Sequence, residues 1–206
     1  RLVGTDAVLP ESASIDYTKW KANGADALVV GSVEKTADGK VDVRYRLFDL
    51  GKASQLSALS MVAPAQMTRV TAHKIADDIY EKLTGIKGMF STRIAYVVRA
   101  GNEYRLEIAD SDGEGRQVAL RSKEPIISPS WSPDGRMLYY AAAFFRPSGK
   151  DRSAEMGMRY RDLKYNIMRI PFDAETMTFG SPDTVYNAAM RGRSATFPRV
   201  SPDGNY

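Results

Sequence analysis

The stretch that decides the fold is PSWSPDG at residues 129–135, which returns as PRVSPDG at residues 198–204. Both copies end in Ser-Pro-Asp-Gly, and each residue type has a physical reason to form a tight turn. Proline presets φ at the second turn position, aspartate supplies a side-chain acceptor, and glycine adopts a positive φ without strain. The motif therefore predicts a structural turn in each copy, and it does not indicate an active site.

Short strands separated by turn signals surround the first copy of this motif. The turn signals include Gly101-Asn102 and the Ser-Asp-Gly at residues 111–113. The predicted strands lie at residues 93–98, 104–110, 117–121, 126–131, 137–145 and 164–172. Short strands at this spacing are typical of an all-β sandwich, barrel or propeller.

The distance between the two copies favours a propeller. Ser132 and Ser201 are 69 residues apart, whereas propeller blades repeat at roughly 40–50 residues. The excess matches a highly charged stretch at residues 146–162, which we interpret as a loop inserted into one blade. Residues 89–206 are therefore predicted to form part of an all-β propeller, about two blades in extent.

Residues 1–88 follow a different pattern, which predicts an α/β domain. A short helix is expected at residues 15–21, with Ser14 or Asp16 as its N-cap. The predicted strands lie at residues 27–33, 41–48 and 55–62, the first two joined by an Asp-Gly hairpin turn. The second strand alternates apolar and polar residues, which predicts one buried face. That face consists of Val41, Val43, Tyr45 and Leu47.

The strongest helix signal begins at Pro64 and runs to Thr84. Proline suits the first helical turn, because its missing N–H has no partner there, and Gly85 is placed to end the helix in a left-handed conformation. Three- and four-residue steps predict an apolar stripe on this helix. The stripe consists of Ala72, Ile75, Ala76, Ile79, Tyr80 and Leu83. Asp78 and Lys82 are expected to pair on the solvent side.

The composition excludes several classes of protein. Among the 206 residues, 43% are hydrophobic and 26% are charged, which excludes a disordered or fibrous chain. Cysteine is absent, so disulfides, cysteine metal sites and thiol nucleophiles are excluded. The sequence contains no uncharged apolar run of 18 residues, so no transmembrane helix is predicted. The net charge of +4 favours a surface of mixed charge over a nucleic-acid-binding surface.

Few residues in the sequence suit catalysis. His73, the single histidine, lies one step off the apolar stripe, and Asp77 is its only nearby partner for a metal. Ser194 lacks the second glycine of a nucleophile elbow, and Gly149-Lys150 lacks the spaced glycines of a phosphate loop. The acidic run at residues 110–114 predicts a β-turn, because no bidentate glutamate follows it. We therefore predict no enzyme activity, no catalytic residue, no metal and no cofactor.

Two groups of residues were considered for binding. Aromatic side chains surround one predicted strand, where alternation directs about half of them into the core, so core packing is the favoured interpretation. They are Trp131, Tyr139, Tyr140, Phe144 and Phe145. The charged stretch at 146–162 contains Met156 and Met158, and it is either an exposed contact segment or a tolerated surface loop.

Three segments resemble the TolB family, the periplasmic component of the Tol-Pal envelope system of Gram-negative bacteria. They are GADALVVGSV at residues 24–33, HKIADDIYEKLTGIKG with FSTRIAYV at 73–97, and ISPSWSPDG at 127–135. The resemblance covers residues 12–140 and implies an N-terminal α/β domain before a six-bladed propeller. The family's first strand and helix are then expected before Arg1, and most blades after Tyr206. Residues 141–206 resemble Ser-Pro-Asp-Gly propeller proteins of Bacteroidetes envelopes.

The resemblance implies a non-enzymatic periplasmic scaffold that is peripheral to the envelope membranes. It implies binding to the lipoprotein Pal and to other Tol proteins such as TolA, with roles in outer-membrane integrity, cell division and protein transport, and with no nucleic-acid partner. The residues that bind these proteins are not predicted. Two alternatives stay open: the propeller domain of a serine peptidase whose catalytic domain lies beyond Tyr206, and a Bacteroidetes envelope propeller.

Overall fold

A computed structural model describes residues 9–144 and 163–204 of the chain. The chain divides into two compact units, Arg1–Thr92 and Arg93–Tyr206. The first unit contains α1 (Tyr17–Ala22), β1 (Ala27–Lys35), β2 (Lys40–Asp49), β3 (Ser54–Pro64), a 3₁₀ helix (Ala65–Met67) and α2 (Thr68–Thr84). The second contains β4 (Arg93–Ala100), β5 (Glu103–Asp110), β6 (Gln117–Ser122), β7 (Ile126–Trp131), β8 (Met137–Phe144), β9 (Lys164–Asp173), β10 (Thr178–Phe179), β11 (Asp183–Tyr186) and a 3₁₀ helix (Ala189–Arg191).

The first unit is built on an antiparallel sheet in the order β1-β2-β3. The predicted alternation of β2 is confirmed, since all four apolar residues are buried and the side chain of Leu47 is 0% exposed. The predicted hairpin is also confirmed, because Lys35 pairs with Val41 across the turn. Trp20 of α1 packs in a buried cluster with Leu28 and Phe48. Of the two predicted N-caps, Asp16 is the one used, since its side chain accepts a hydrogen bond from the Lys19 backbone at 3.0 Å.

The prediction that α2 begins at Pro64 is wrong. Pro64 is the last residue of β3, with φ −53° and ψ 146°, and it pairs with Lys40. The φ of proline suits extended backbone as well as a helix, and the pairing with β2 selects the extended form. The α-helix begins at Thr68, whose hydroxyl donates to the Ala65 carbonyl oxygen at 2.6 Å. The predicted end is confirmed, because Gly85 has a left-handed φ of 74°.

The prediction that Asp78 faces solvent is also wrong. The Asp78 carboxylate accepts hydrogen bonds from the Tyr45 hydroxyl and from Ser57 Oγ, the latter at 2.7 Å. Tyr45 is only 3% exposed, so its hydroxyl needs an acceptor within the protein. The side of α2 that meets the sheet is therefore partly polar. Ala72, Tyr80 and Leu83, which the stripe placed in the core, are exposed.

The Asp78 contact predicts how the stability of the first unit depends on pH. Burial disfavours the ionised carboxylate, but hydrogen bonds from Tyr45 and Ser57 outweigh it and lower the pKa of Asp78. Burial and the hydrogen bond to Asp78 raise the pKa of Tyr45 to about 12. A carboxyl group whose pKa is lowered by folding stabilises the folded unit at pH values above its unfolded pKa of about 3.9. A tyrosine whose pKa is raised by folding stabilises the folded unit at pH values below its unfolded pKa of about 10.

We therefore expect the free energy of unfolding of the first unit to be level between about pH 5 and pH 10. It should fall as the pH drops below about 4 and as it rises from 10 toward 12. Urea unfolding at a series of pH values measures this profile. Asp78→Asn should make the acid slope shallower without abolishing it, because the pKa values of Asp38, Asp42 and Asp77 in the same unit are also lowered. An unchanged acid slope in that variant would contradict the assignment.

The second unit consists of antiparallel sheets, as predicted. One sheet has the order β4-β5-β6, and the other has the order β10-β9-β8-β7, with β11 also paired to β9. Strands β4 to β9 lie within two residues of their predicted bounds over the described residues, whereas the short strands β10 and β11 were not predicted. Both are held by pairing along β9, which no local pattern encodes. The shared core consists of Leu106, Ile108, Ile126, Leu138, Tyr140, Ile170 and Phe172.

The Ser-Pro-Asp-Gly turn joins β7 to β8 and is confirmed as structural. Gly135 has a φ of 69° and donates its N–H to the Ser132 carbonyl oxygen at 2.9 Å. Ser132 Oγ donates to Asp134 at 2.5 Å and accepts from the Met137 N–H at 2.9 Å. In the second copy, Gly204 donates to the Ser201 carbonyl oxygen at 2.8 Å. The inserted stretch at 146–162 lies outside the described residues.

Ser132→Ala should lower the free energy of unfolding of the second unit by about 1–2 kcal/mol. The substitution removes both side-chain hydrogen bonds of Ser132 and leaves the Met137 N–H without its acceptor. Urea unfolding measures the change. The matched control is Ser181→Ala, because Ser181 also precedes a Pro-Asp sequence but is exposed. Equal stability of the two variants would contradict the structural role of the Ser132 hydroxyl.

Candidate functional site

The sheet β4-β5-β6 has one face in the core and one open face. Alternation along β5 sends Leu106 into the core and places Arg105 and Glu107 on the opposite side. The register puts Tyr96 of β4 beside Glu107, and Val98 beside Arg105. The open face therefore combines charged, aromatic and aliphatic side chains.

A shallow cavity of about 350 Å³ lies on this open face. Its lining includes Tyr96, Arg105, Glu107, Arg116, Gln117 and Val118. Glu107 is only 8% exposed although it is acidic. Burial of a carboxylate is costly unless a cation or hydrogen-bond donors compensate it, and the surroundings of Glu107 supply both.

The charges of the cavity compensate one another. Arg105 Nε lies 3.5 Å from a Glu107 carboxylate oxygen and 3.8 Å from one of Glu103. Burial, followed by the charge of Glu107 and a hydrogen bond to it, raises the pKa of Tyr96. Gln117 Oε1 is buried, and within the described part of the chain it has no hydrogen-bond partner. The face thus combines a buried acceptor with a pair of opposite charges.

The sequence analysis did not single out this face. The signal was available, because Glu103, Arg105 and Glu107 alternate along β5 with Tyr104, Leu106 and Ile108. Such a pattern marks a polar sheet face. It does not reveal that Glu107 is buried, since that depends on side chains from β4 and β6.

The aromatic residues around β8 are divided as predicted. Tyr140 is buried in the core, and burial raises its pKa to about 12. Trp131 packs edge-on against Phe172, with 5.5 Å between ring centroids. Phe144 is 48% exposed, and Phe145 lies outside the described residues. Core packing is therefore confirmed for Tyr140 and Trp131.

Ser194 and the acidic run at residues 110–114 take part in structural contacts. Ser194 Oγ accepts a hydrogen bond from the Tyr165 N–H at 3.1 Å. The run at 110–114 forms the predicted β-turn, in which Gly113 donates to the Asp110 carbonyl oxygen at 2.9 Å. His73 is half-buried on α2. Gly149-Lys150 lies outside the described residues.

Among residues 9–144 and 163–204, the structure contains no helix with the length and apolarity needed to cross a membrane.

An α/β unit followed by antiparallel sheets with Ser-Pro-Asp-Gly turns defines a protein with partial propeller blades, whose sheets do not close into a ring within the described residues. Comparison with known proteins then shows which family the two parts of the chain resemble. Residues 3–56 match the TolB amino-terminal domain, and residues 80–148 match the TolB beta propeller domain. The resemblance to TolB predicted from the sequence is confirmed.

Relatives extend this match over much of the chain. The Tol-Pal system protein TolB of Bordetella parapertussis is 52% identical over 137 residues, which are 66% of this chain and 31% of the relative. TolB of Aromatoleum aromaticum is 55% identical over 135 residues, 65% of this chain and 32% of the relative. The crystal structure of TolB from Acinetobacter baumannii has a TM-score of 0.65 and 33% identity, and covers 97% of this chain and 45% of that one.

The chain spans about a third of the length of the curated relatives it matches. A Pyrococcus horikoshii acylaminoacyl peptidase also matches, but its 14% identity and TM-score of 0.30 are too low to indicate a shared role. The resemblance of residues 141–206 to Bacteroidetes envelope proteins stays a prediction.

Proposed function

We propose that the protein is a non-enzymatic, protein-binding scaffold of the Tol-Pal system that works in the periplasm. Its partners are Pal and other Tol proteins such as TolA, and binding them maintains outer-membrane integrity during cell division. The observation that carries the proposal is the match of TolB sequence to both units, at residues 3–56 and 80–148.

The chemistry of the described residues supports binding over catalysis. The Ser194 hydroxyl is engaged by the Tyr165 backbone, and the polar atoms of the Ser132 turn bond to one another. Groups held in this way present a fixed surface, which is what recognition of a protein requires.

We further propose that residues 1–88 are the TolB-like α/β domain and residues 89–206 are about two blades of a larger propeller. In a propeller, sheets pack face to face around a central axis. The open face of β4-β5-β6 suits such packing, because Glu107 is buried there and Gln117 Oε1 has no hydrogen-bond partner among the residues that the structure describes. The occupant we propose for this face is another blade of the same propeller.

A pull-down tests the proposed partners. The complete gene product is immobilised, and purified Pal and purified TolA are offered separately at micromolar concentration, with bare resin as the control. We expect enrichment of Pal above bare resin. Enrichment of TolA alone would remove Pal from the proposal, and enrichment of neither would overturn it.

A further inference from the structure

The segment between α2 and β4 is bound to α2 in the first unit. The Asp77 carboxylate accepts hydrogen bonds from the backbone N–H of Phe90 at 2.6 Å, from that of Ser91 at 3.0 Å, and from Ser91 Oγ. The Phe90 ring packs edge-on against Tyr80, with 5.7 Å between centroids. One carboxylate therefore holds two consecutive residues of a connecting segment against the helix.

Gly88 allows this segment to approach the helix backbone. A Cβ atom at Gly88 would lie 2.5 Å from Asp77 Cα and 2.9 Å from Asp77 Cβ, much closer than carbon atoms pack. Gly88 does not have a positive φ, so glycine is needed here for space and not for backbone conformation. The contact is thus independent of the hydrogen bonds and supports the same arrangement.

The residues on each side of the boundary between the units are fixed as well. Thr92 donates to the Met89 carbonyl oxygen from its N–H at 3.2 Å and from its hydroxyl at 2.7 Å. Arg93 begins β4 and pairs with Asp110 of β5. Its Nε lies 3.4 Å from an Asp110 carboxylate oxygen, and its guanidinium lies over the Phe172 ring. Each side is fastened within its own unit.

We propose that the hydrogen bonds of the Asp77 carboxylate form a clasp, which fixes the connecting segment to α2. The clasp limits the length of flexible chain between the two units. While the carboxylate holds Phe90 and Ser91, the connecting segment belongs to the first unit. Without the carboxylate, the connecting segment loses its hydrogen bonds to α2 and keeps the packing of Phe90 on Tyr80. Full release of residues 86–92 would give a flexible linker with a span of about 15 Å. Linker span sets the effective concentration of one binding unit near another. The clasp therefore keeps the flexible chain between the two units short when one partner contacts both of them, whichever protein that partner is.

Hydrogen exchange on the 206-residue chain tests the clasp. The comparison is between the unaltered chain, Asp77→Ala, and the matched control Glu81→Ala, which removes an exposed carboxylate one turn further along α2. We expect the Phe90 and Ser91 amides to be protected in the unaltered chain and the control. In Asp77→Ala they should exchange roughly ten- to hundredfold faster, and trypsin should cleave faster after Lys87.

Amides in the middle of β2 serve as the folding control and should stay protected in all three proteins. If Asp77→Ala unfolds the first unit, Ser91→Ala replaces it, because that variant removes one hydrogen bond and keeps the carboxylate. It should then accelerate exchange at Phe90 and Ser91 by a smaller factor. Rapid exchange of these amides in the unaltered chain, or no acceleration in either folded variant, would overturn the proposal.

Discussion

Asp78→Ala should lower the free energy of unfolding of the first unit by about 3 kcal/mol. The side chain joins α2 to the sheet, because its carboxylate accepts hydrogen bonds from the Tyr45 hydroxyl and Ser57 Oγ. Alanine removes the charged acceptor of both hydroxyls at a partly buried position, where the two hydroxyl oxygens lie 3.4 Å from each other. Hydrogen bonds to a charged group contribute about 1.5–3 kcal/mol, and unsatisfied buried donors add to the loss.

The two tryptophans of the chain allow this measurement on one unit alone. Trp20 lies in the first unit and Trp131 in the second, so in a Trp131→Phe background the tryptophan fluorescence comes from the first unit only. Asp78→Asn keeps one carbonyl acceptor and should lose less stability than alanine. Glu81→Ala, on the exposed side of α2, should change stability by less than about 0.5 kcal/mol. If Asp78→Ala behaves like this control, the contact is not structural.

Leu106→Ala should lower the free energy of unfolding of the second unit by about 3 kcal/mol. Leu106 is 0% exposed, at the centre of the cluster shared by β5, β7, β8 and β9. Alanine removes apolar contacts and leaves a cavity that a close-packed sheet core cannot fill. The same substitution would cost much less if the two sheets were not packed on each other through this residue.

The measurement uses a Trp20→Phe background, in which Trp131 reports on the second unit. Val118→Ala is the matched control, because Val118 lies on the neighbouring strand β6 but is partly exposed on the open face. We expect the control to lose under about 1 kcal/mol. Comparable losses in the two variants would contradict the assignment of the core to the Leu106 face.

Local chemistry explains why much of the fold could be predicted. The Ser132 turn and the end of α2 at Gly85 follow from the backbone freedom of single residues. The alternation of β2 follows from burial of one face. Pro64 was misassigned because its φ suits two conformations, and only the pairing of Lys40 with Pro64 selects one.

The polar contacts that matter most could not be predicted from local patterns. Asp78 occupies a helix position that suits solvent, and its partners Tyr45 and Ser57 are 33 and 21 residues away in sequence. Burial of Glu107 likewise depends on neighbouring strands. The family could be recognised from short segments, yet no binding residue followed from them, because the chain spans about a third of its relatives.

Calorimetric titration of purified Pal into the complete gene product is the most direct test of the proposed function. The account predicts saturable binding with one Pal per protein and a dissociation constant at or below the micromolar range, equivalent to about 8 kcal/mol or more. Asp78→Asn, if folded, should bind Pal equally, since the Asp78 side chain is engaged by Tyr45 and Ser57 between α2 and the sheet. Absence of heat, with folding of both proteins verified, would contradict the assignment of this protein to Pal binding.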